Sequence, residues 1–211
     1  MICISIGKIG MINEVNLVKP SLVEVRYDLV RKPPELVAEE LNDTILQVAT
    51  CRPGIIPDKE RMVILKKAID LGAVYVDVEL DADPGFIEAA IKYAKLKRTH
   101  VIVSYHNYDA TPGPEALKQV LHKCYSAGGD VAKIACQSNS HEDSARLLSL
   151  YAEQGRKIVI GMGEHGRITR LAASQLGAEF TFAALSITDA TAPGQLTYGE
   201  MKSLEKTLNR A

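Results

Sequence analysis

Val74-Tyr75-Val76-Asp77-Val78-Glu79-Leu80, the helix-spaced stretch Pro84–Leu96 and Val101-Ile102-Val103-Ser104-Tyr105-His106 follow one another along the chain, and their succession decides the fold. A β-branched run has a period of two, and the stretch after it has the 3.6-residue spacing of a helix with proline at its first turn. A second β-branched run follows, so the segment reads as one right-handed βαβ unit with parallel strands. The alternation recurs on both sides. Ile2–Ile6, Leu22–Val30, Ile45–Thr50, Val131–Cys136, Ile158–Gly161 and Phe180–Leu185 read as further strands. Pro34–Leu41, Lys59–Leu71, Pro114–Ala127, Glu142–Ala152, Arg167–Leu176 and Tyr198–Asn209 read as helices. Eight strands with intervening helices in 211 residues predict an α/β chain folded as a (β/α)₈ TIM barrel, a single domain over 1–211. A five- or six-stranded doubly wound sheet would leave strands over. Gly7–Ser21 carries the weakest helical signal.

The composition fits a soluble globular protein, with 46% hydrophobic and 24% charged residues. The formal net charge of −1 gives no global field to attract nucleic acid or anionic lipid. No apolar run is long enough to span a membrane. The apolar start is interrupted by Lys8 and lacks a small-residue cleavage site, which argues against a signal peptide. Cys3, Cys51, Cys124 and Cys136 are scattered, with no C-x-x-C pair. This suits a reducing, cytoplasmic setting.

Side chains two apart share a strand face. Glu24, Arg26 and Asp28 therefore fall on one face of the second run, opposite Val23, Val25 and Tyr27. Asp77 and Glu79 share a face of the fourth, Ser104 and His106 of the fifth, Lys133 lies in the sixth, and Arg52 follows the third. In a barrel the face against the helices is apolar, so this charge points inward. Burying it costs several kcal/mol per ion unless it is paired, on the order found for buried ion pairs. Much of it sits toward strand C-termini, where barrel active sites lie. Lys133 is the candidate nucleophile, its ammonium form disfavoured by burial and by nearby Arg26 and Arg52. His106 is the candidate base, and the arginines are candidates to grip a carboxylate. Asp77 and Glu79 read as supporting acids behind them. The set points to imine-assisted elimination or carbon–carbon cleavage of a small anionic keto compound, with no metal or cofactor. A class I aldolase or transaldolase, or a metabolite-binding barrel without turnover, stays open on these residues alone.

Several segments then share a pattern. Val23–Asp28, Ser104-Tyr105-His106 followed by Thr111-Pro112, and Asp130–Ala135 are three of them. Met162 with Gly166–Leu171, and Thr191-Ala192-Pro193-Gly194-Gln195, are the others. In this order they resemble the type I 3-dehydroquinate dehydratase family over nearly the whole chain. The resemblance implies dehydration of 3-dehydroquinate to 3-dehydroshikimate in the shikimate route to aromatic amino acids, and a homodimer. It implies that Lys133 forms the imine and His106 moves the protons. Arg170, Gln195 and Thr191 would meet the substrate carboxylate region. Glu24, Arg26 and Arg52 would meet ring hydroxyls or close the polar network, and Met162 and Phe182 would line the ring site. One position departs from the pattern: Ile56 stands where many members carry the acid that orients the histidine, which makes Glu79 the substitute candidate. Asn107 also stands where Asp is common.

Gly161-Met162-Gly163-Glu164-His165-Gly166 spells G-x-G-x-x-G, but the acid that a dinucleotide site wants at the end of the next strand is missing, since Glu179 opens that strand. His141-Glu142-Asp143 and Asp81-Ala82-Asp83-Pro84 read as helix starts. Residues 192–195 read by themselves as an ordinary turn, and the resemblance implies a mobile loop that closes over the substrate.

Overall fold

The computed structural model describes residues 1–54, 56–192 and 194–208. Its strands are β1 (Ile2–Ile6), β2 (Leu22–Arg26), β3 (Leu46–Thr50), β4 (Tyr75–Glu79), β5 (His100–Asn107), β6 (Val131–Gln137), β7 (Lys157–Met162) and β8 (Thr181–Ala183). The helices are α1 (Met11–Val18), α2 (Tyr27–Val30), α3 (Pro34–Glu40), α4 (Asp58–Asp70), α5 (Pro84–Leu96), α6 (Pro114–Ser126), α7 (His141–Ser149), α8 (Arg167–Ala172) and α9 (Tyr198–Leu208). Neighbouring strands run parallel in the order β7-β6-β5-β4-β3-β2-β1-β8, a nearly closed barrel. Between β7 and β8 no ladder forms among the described residues. There the Glu179 N–H donates to the Lys157 carbonyl at 2.9 Å, at the lower end of the gap. Below it, Glu179 accepts from Arg156 at 2.6 and 2.8 Å and from the Tyr75 hydroxyl at 2.7 Å, which staples the floor across that gap.

The inward positions change character along each strand. At the floor, Cys3, Leu22, Val48, Tyr75, Ile102, Val131, Ile158 and Phe180 form an apolar plug. Two residues further along come Ser5, Glu24, Thr50, Asp77, Ser104 and Lys133, all buried. The outward positions, such as Val23, Val25, Val76, Val78, Val103 and Ile134, join the core that packs against the helices. Hydrophobic burial therefore holds the wall from outside and plugs it from below, while the upper interior is left to polar groups.

Helix starts follow the local chemistry. The Asp83 carboxylate accepts from Phe86 N–H at 3.1 Å with Pro84 at the first turn, and Ser140 caps α7 by accepting from Asp143 N–H. The second run differs from the sequence expectation. The strand stops at Arg26, and Tyr27–Val30 coil into one helical turn that ends at Arg31 in the left-handed region (φ 52°). The chain leaves the barrel mouth there, with the Tyr27 hydroxyl anchored by the Gln47 amide at 2.6 Å. Asp28 is thus not on the strand's inward face; it meets Arg26 from the turn above. Gly7–Ser21 does hold a helix, α1, and the 180–185 run is trimmed to β8, after which Ala184 bridges Thr197 on the returning loop. The terminal helix is described to Leu208, and the expected end at Asn209 lies outside the described residues.

Candidate active site

One cavity of about 550 Å³ opens at the C-terminal mouth of the barrel. It is lined by Lys133, His106, Glu24, Arg26, Arg52, Met162, Arg170, Phe182, Thr191 and Gln195, together with Ser5, Tyr108, Ala135, Ile160 and Ala192. Asp77 and Glu79 stand behind this lining. Of the second group, Ala192 belongs to the 191–195 segment already singled out, and sequence reasoning missed Ser5, Tyr108, Ala135 and Ile160. Ala135 and Ile160 sit two positions from Lys133 and Met162 on the same faces, so strand periodicity contained them. Ser5 is the polar inward residue of an otherwise apolar strand. Nothing local marks Tyr108.

Lys133 projects from the middle of β6 and is 4% exposed. Its Nζ donates to Asp77 Oδ2 at 2.9 Å, lies 3.7 Å from Glu24 Oε1, and sits 4.3 Å from the Phe182 ring centroid. This corrects the expected surroundings: carboxylates, rather than Arg26 and Arg52, contact the amine. The inward faces of β2 and β4 bring both acids to the level of β6. Glu24 is fixed in turn by the hydroxyls of Ser5 and Thr50, at 2.9 and 3.0 Å. Burial pushes the Asp77 carboxyl up, but Arg52 and Lys133 more than reverse this and hold it well below the usual carboxylate range. Ser104 adds a 2.6 Å hydrogen bond to Asp77 Oδ1.

Arg52 ties the acids together, with Nη1 2.9 Å from Glu79 Oε1 and 3.4 Å from Asp77 Oδ1. Arg26 is held by Asp28 through two hydrogen bonds of 3.0 and 2.6 Å, a bidentate pair that fixes its plane at the mouth. His106 stands on β5, one same-face step beyond Ser104, which is in register with Lys133. Burial, then Arg52 and Lys133, lower its pKa well below the ordinary 6.5. The ring is therefore neutral at pH 7. Burial also raises the Glu79 carboxyl, against the pull of Arg52. Ile56, at the position where the resemblance led one to look for an acid, packs against the core instead.

Arg170 is a buried cation held by few partners. It is 1% exposed on α8, and its Nη1 donates to the Phe182 carbonyl at 3.3 Å. Its Nε has no hydrogen-bond partner, and among the described residues no carboxylate pairs with it. Burial lowers its pKa to about 10. A buried guanidinium left this way, on the wall of a cavity, is a ready anion site. On the same cavity wall the Gln195 side-chain oxygen Oε1 accepts from Thr191 N–H at 2.9 Å, which ties the two ends of the 191–195 turn together. Pro193 of that turn lies outside the described residues, as does Ile55. A Cβ on Gly194 (φ +72°) would lie 2.1 Å from the Gly163 carbonyl oxygen, so the turn seats backbone on backbone against the loop after β7.

The glycine motif after β7 serves packing. A Cβ on Gly166 would meet the Gly161 carbonyl carbon at 2.2 Å, so these glycines let α8 start close against the strand and carry Arg170 inward. Among the described residues no group of three or more His, Cys, Asp or Glu side chains is placed to hold a metal ion.

A sequence profile of the type I 3-dehydroquinase family matches residues 2–210. The chain belongs to this family. The 3-dehydroquinate dehydratase of Thermococcus gammatolerans is 35% identical to this dehydroquinase over 87% of the chain and 85% of its own length. That of Methanococcus maripaludis is 31% identical over 99% and 100%. The crystal structure of the 3-dehydroquinate dehydratase from Aquifex aeolicus superposes with a TM-score of 0.86 at 30% identity, covering 100% of both chains. The dehydroquinase is therefore a hydro-lyase of the Schiff-base type, and membership sets aside the aldolase and transaldolase alternatives as well as a barrel without turnover. No helix among the described residues is long and apolar enough to cross a membrane.

Proposed function

We propose that Lys133 and His106 carry out the dehydration of 3-dehydroquinate to 3-dehydroshikimate, the family's step in the shikimate route. The observation that carries this reading is a buried lysine and a neutral, half-buried histidine on adjacent strands, lining one cavity with an arginine that no carboxylate pairs with among the described residues.

The Lys133 ammonium passes a proton to His106, whose neutral ring is available to accept it. The free amine attacks the substrate ketone at C3, and His106 returns the proton as the carbinolamine oxygen leaves as water. Asp77 and Glu24, which hold the ammonium, hold the iminium equally well because it is a cation at the same place. The iminium draws electrons from C2; His106 takes the C2 proton and delivers it to the C1 hydroxyl, which departs as a second water. Water then hydrolyses the conjugated imine and releases the enone, with the amine restored. Arg170 and Gln195, with Thr191 beside them, receive the substrate carboxylate. Glu24, Arg26 and Arg52 meet the ring hydroxyls, and Met162 and Phe182 meet the ring's apolar faces. Asp77 and Glu79 support the reacting pair.

We also assign the enzyme to the cytoplasm as a homodimer. The free, buried Cys3, Cys51, Cys124 and Cys136 are compatible with a reducing compartment, and the dimer follows the family resemblance. Solution mass measurement checks the dimer.

Borohydride reduction in the presence of 3-dehydroquinate tests the chemistry. A ligand-sized mass on the Lys133 peptide is expected, and it should be absent in Lys133→Ala, which should fold yet lack turnover. Folded wild-type protein without the adduct overturns the imine mechanism.

A further inference from the structure

His106 Nδ1 is buried and has no hydrogen-bond partner, while its ring is only 11% exposed. An unpaired buried ring nitrogen is destabilising, and a structure normally supplies a partner for it. Glu79 Oε1 lies 3.5 Å away, a separation one small side-chain rotation would shorten into a hydrogen bond. We propose that Glu79 selects the reacting nitrogen of His106: its carboxylate keeps the proton on Nδ1, which leaves the Nε2 lone pair as the base.

The surroundings leave Glu79 as the acceptor for that proton. The charged groups acting on His106 from the other elements are Arg26 from β2, Arg52 from beyond β3, Asp77 from β4 and Lys133 from β6. The three cations accept no hydrogen bond. Asp77 is already engaged by Lys133 at 2.9 Å, Ser104 at 2.6 Å and Arg52 at 3.4 Å. Glu79 is itself held from behind, because Arg52 Nη1 donates to its Oε1 at 2.9 Å and to Ser104 Oγ at 3.0 Å. Tyr108 stacks on the histidine with centroids 6.0 Å apart and planes 16° apart, so the ring plane is set and only its edge chemistry remains to be fixed. Catalytic hydrogen bonds commonly tighten when substrate binds, and a carboxylate that fixes a histidine tautomer acts in this way elsewhere. Glu79 is thus a positioning residue acting through His106, and the proposal rests on the reading of His106 as the base.

The test uses histidine labelled with ¹⁵N in the full-length enzyme, with Glu79→Gln as the perturbation. Long-range ¹H–¹⁵N spectra of the wild type are expected to show His106 protonated on Nδ1. In Glu79→Gln the tautomer should shift toward Nε2–H, and kcat should fall at least about tenfold, the low end of the loss seen when metal-bound histidines lose their carboxylate partner. The acid limb of kcat/KM should move to lower pH, because a carboxylate that favoured the imidazolium is gone. The borohydride adduct on Lys133 should still form. An Nε2–H tautomer in the wild type overturns the proposal whether or not the variant folds. A fall in kcat with neither a tautomer change nor a pH shift also overturns it. His106→Ala with wild-type turnover would instead remove the base reading itself, whereas an impaired His106→Ala beside an unaffected Glu79→Gln removes Glu79 alone.

Discussion

Replacing Arg170 with methionine should make the fold more stable and the enzyme worse. Burial alone lowers this guanidinium from an ordinary 12.5 to about 10. A depression of that size corresponds to about 3 kcal/mol of unfavourable desolvation. The hydrogen bond to the Phe182 carbonyl at 3.3 Å offsets about 1 kcal/mol of it. Methionine has a similar length, carries no charge, and fills irregular space well. The variant should therefore gain about 1–3 kcal/mol, because an apolar residue of similar volume relieves an uncompensated buried charge. For a chain of this size the gain raises the unfolding midpoint by roughly 2–12 °C. Substrate binding should move the other way. A charge-assisted hydrogen bond is worth about 1.5–3 kcal/mol, and its loss leaves the substrate carboxylate facing an apolar wall, so KM should rise roughly 10- to 100-fold. Thermal unfolding by circular dichroism and steady-state kinetics on the enone absorbance measure the two effects. A variant that melts earlier, with KM unchanged within about twofold, would refute the reasoning.

Two further outcomes follow from the same interior. Folded-state stability should decline as the pH falls below about 6.5, because the His106 pKa is depressed on folding and the unfolded chain takes up that proton first. The decline should steepen near pH 4 as Asp77, also depressed, is titrated in the unfolded chain; Glu79, raised on folding, opposes it over part of the range. Unfolding midpoints that stay level from pH 7.5 to about 4 would contradict these assignments. Gly194→Ala places a Cβ 2.1 Å from the Gly163 carbonyl oxygen at φ +72°, so the 191–195 turn must lift from its seat. KM should rise several-fold, by about 1 kcal/mol or more, with the unfolding midpoint nearly unchanged. A variant with ordinary kinetics would show that the turn does not complete the site.

The barrel was legible because its strands and helices have different periods and the breaks between them carry proline, glycine and capping acids. Asp83 and Pro84 at α5 show this well, as do the glycines that end α4 and α6. The inward charge was legible for the same reason, since position two along a strand returns to the same face. Where the signal failed, the cause is local. Over α1, Met11, Ile12 and Val15 are buried, but Leu17 and Val18 are exposed, so the apolar stripe is blurred. Tyr27–Val30 have the composition of a strand yet sit where the chain must turn out of the mouth, and tertiary context overrides propensity there. The inward set holds both arginines and acids, and height along the strands decides which meets Lys133: Arg26 ends β2 and Arg52 lies past β3, whereas Glu24 and Asp77 stand within their strands and reach the amine. Tyr108 lies past a strand end, where side-chain direction is set by the loop.

Among the described residues seven pairs of adjacent strands share backbone ladders, and the β7–β8 pair does not. Lys133, His106, Glu24 and Asp77 all stand within the continuous arc, where bonded neighbours on both sides resist displacement. Met162 and Phe182 flank the open joint, Arg170 reaches across it to the Phe182 carbonyl, and Thr191 and Gln195 hang just beyond it. On the proposed assignment, the groups that make and break bonds stand in the laddered arc, and those that meet the substrate carboxylate stand at the joint without a ladder. Backbone bonding on both sides then fixes the distances among the reacting groups independently of how the β7–β8 joint is set.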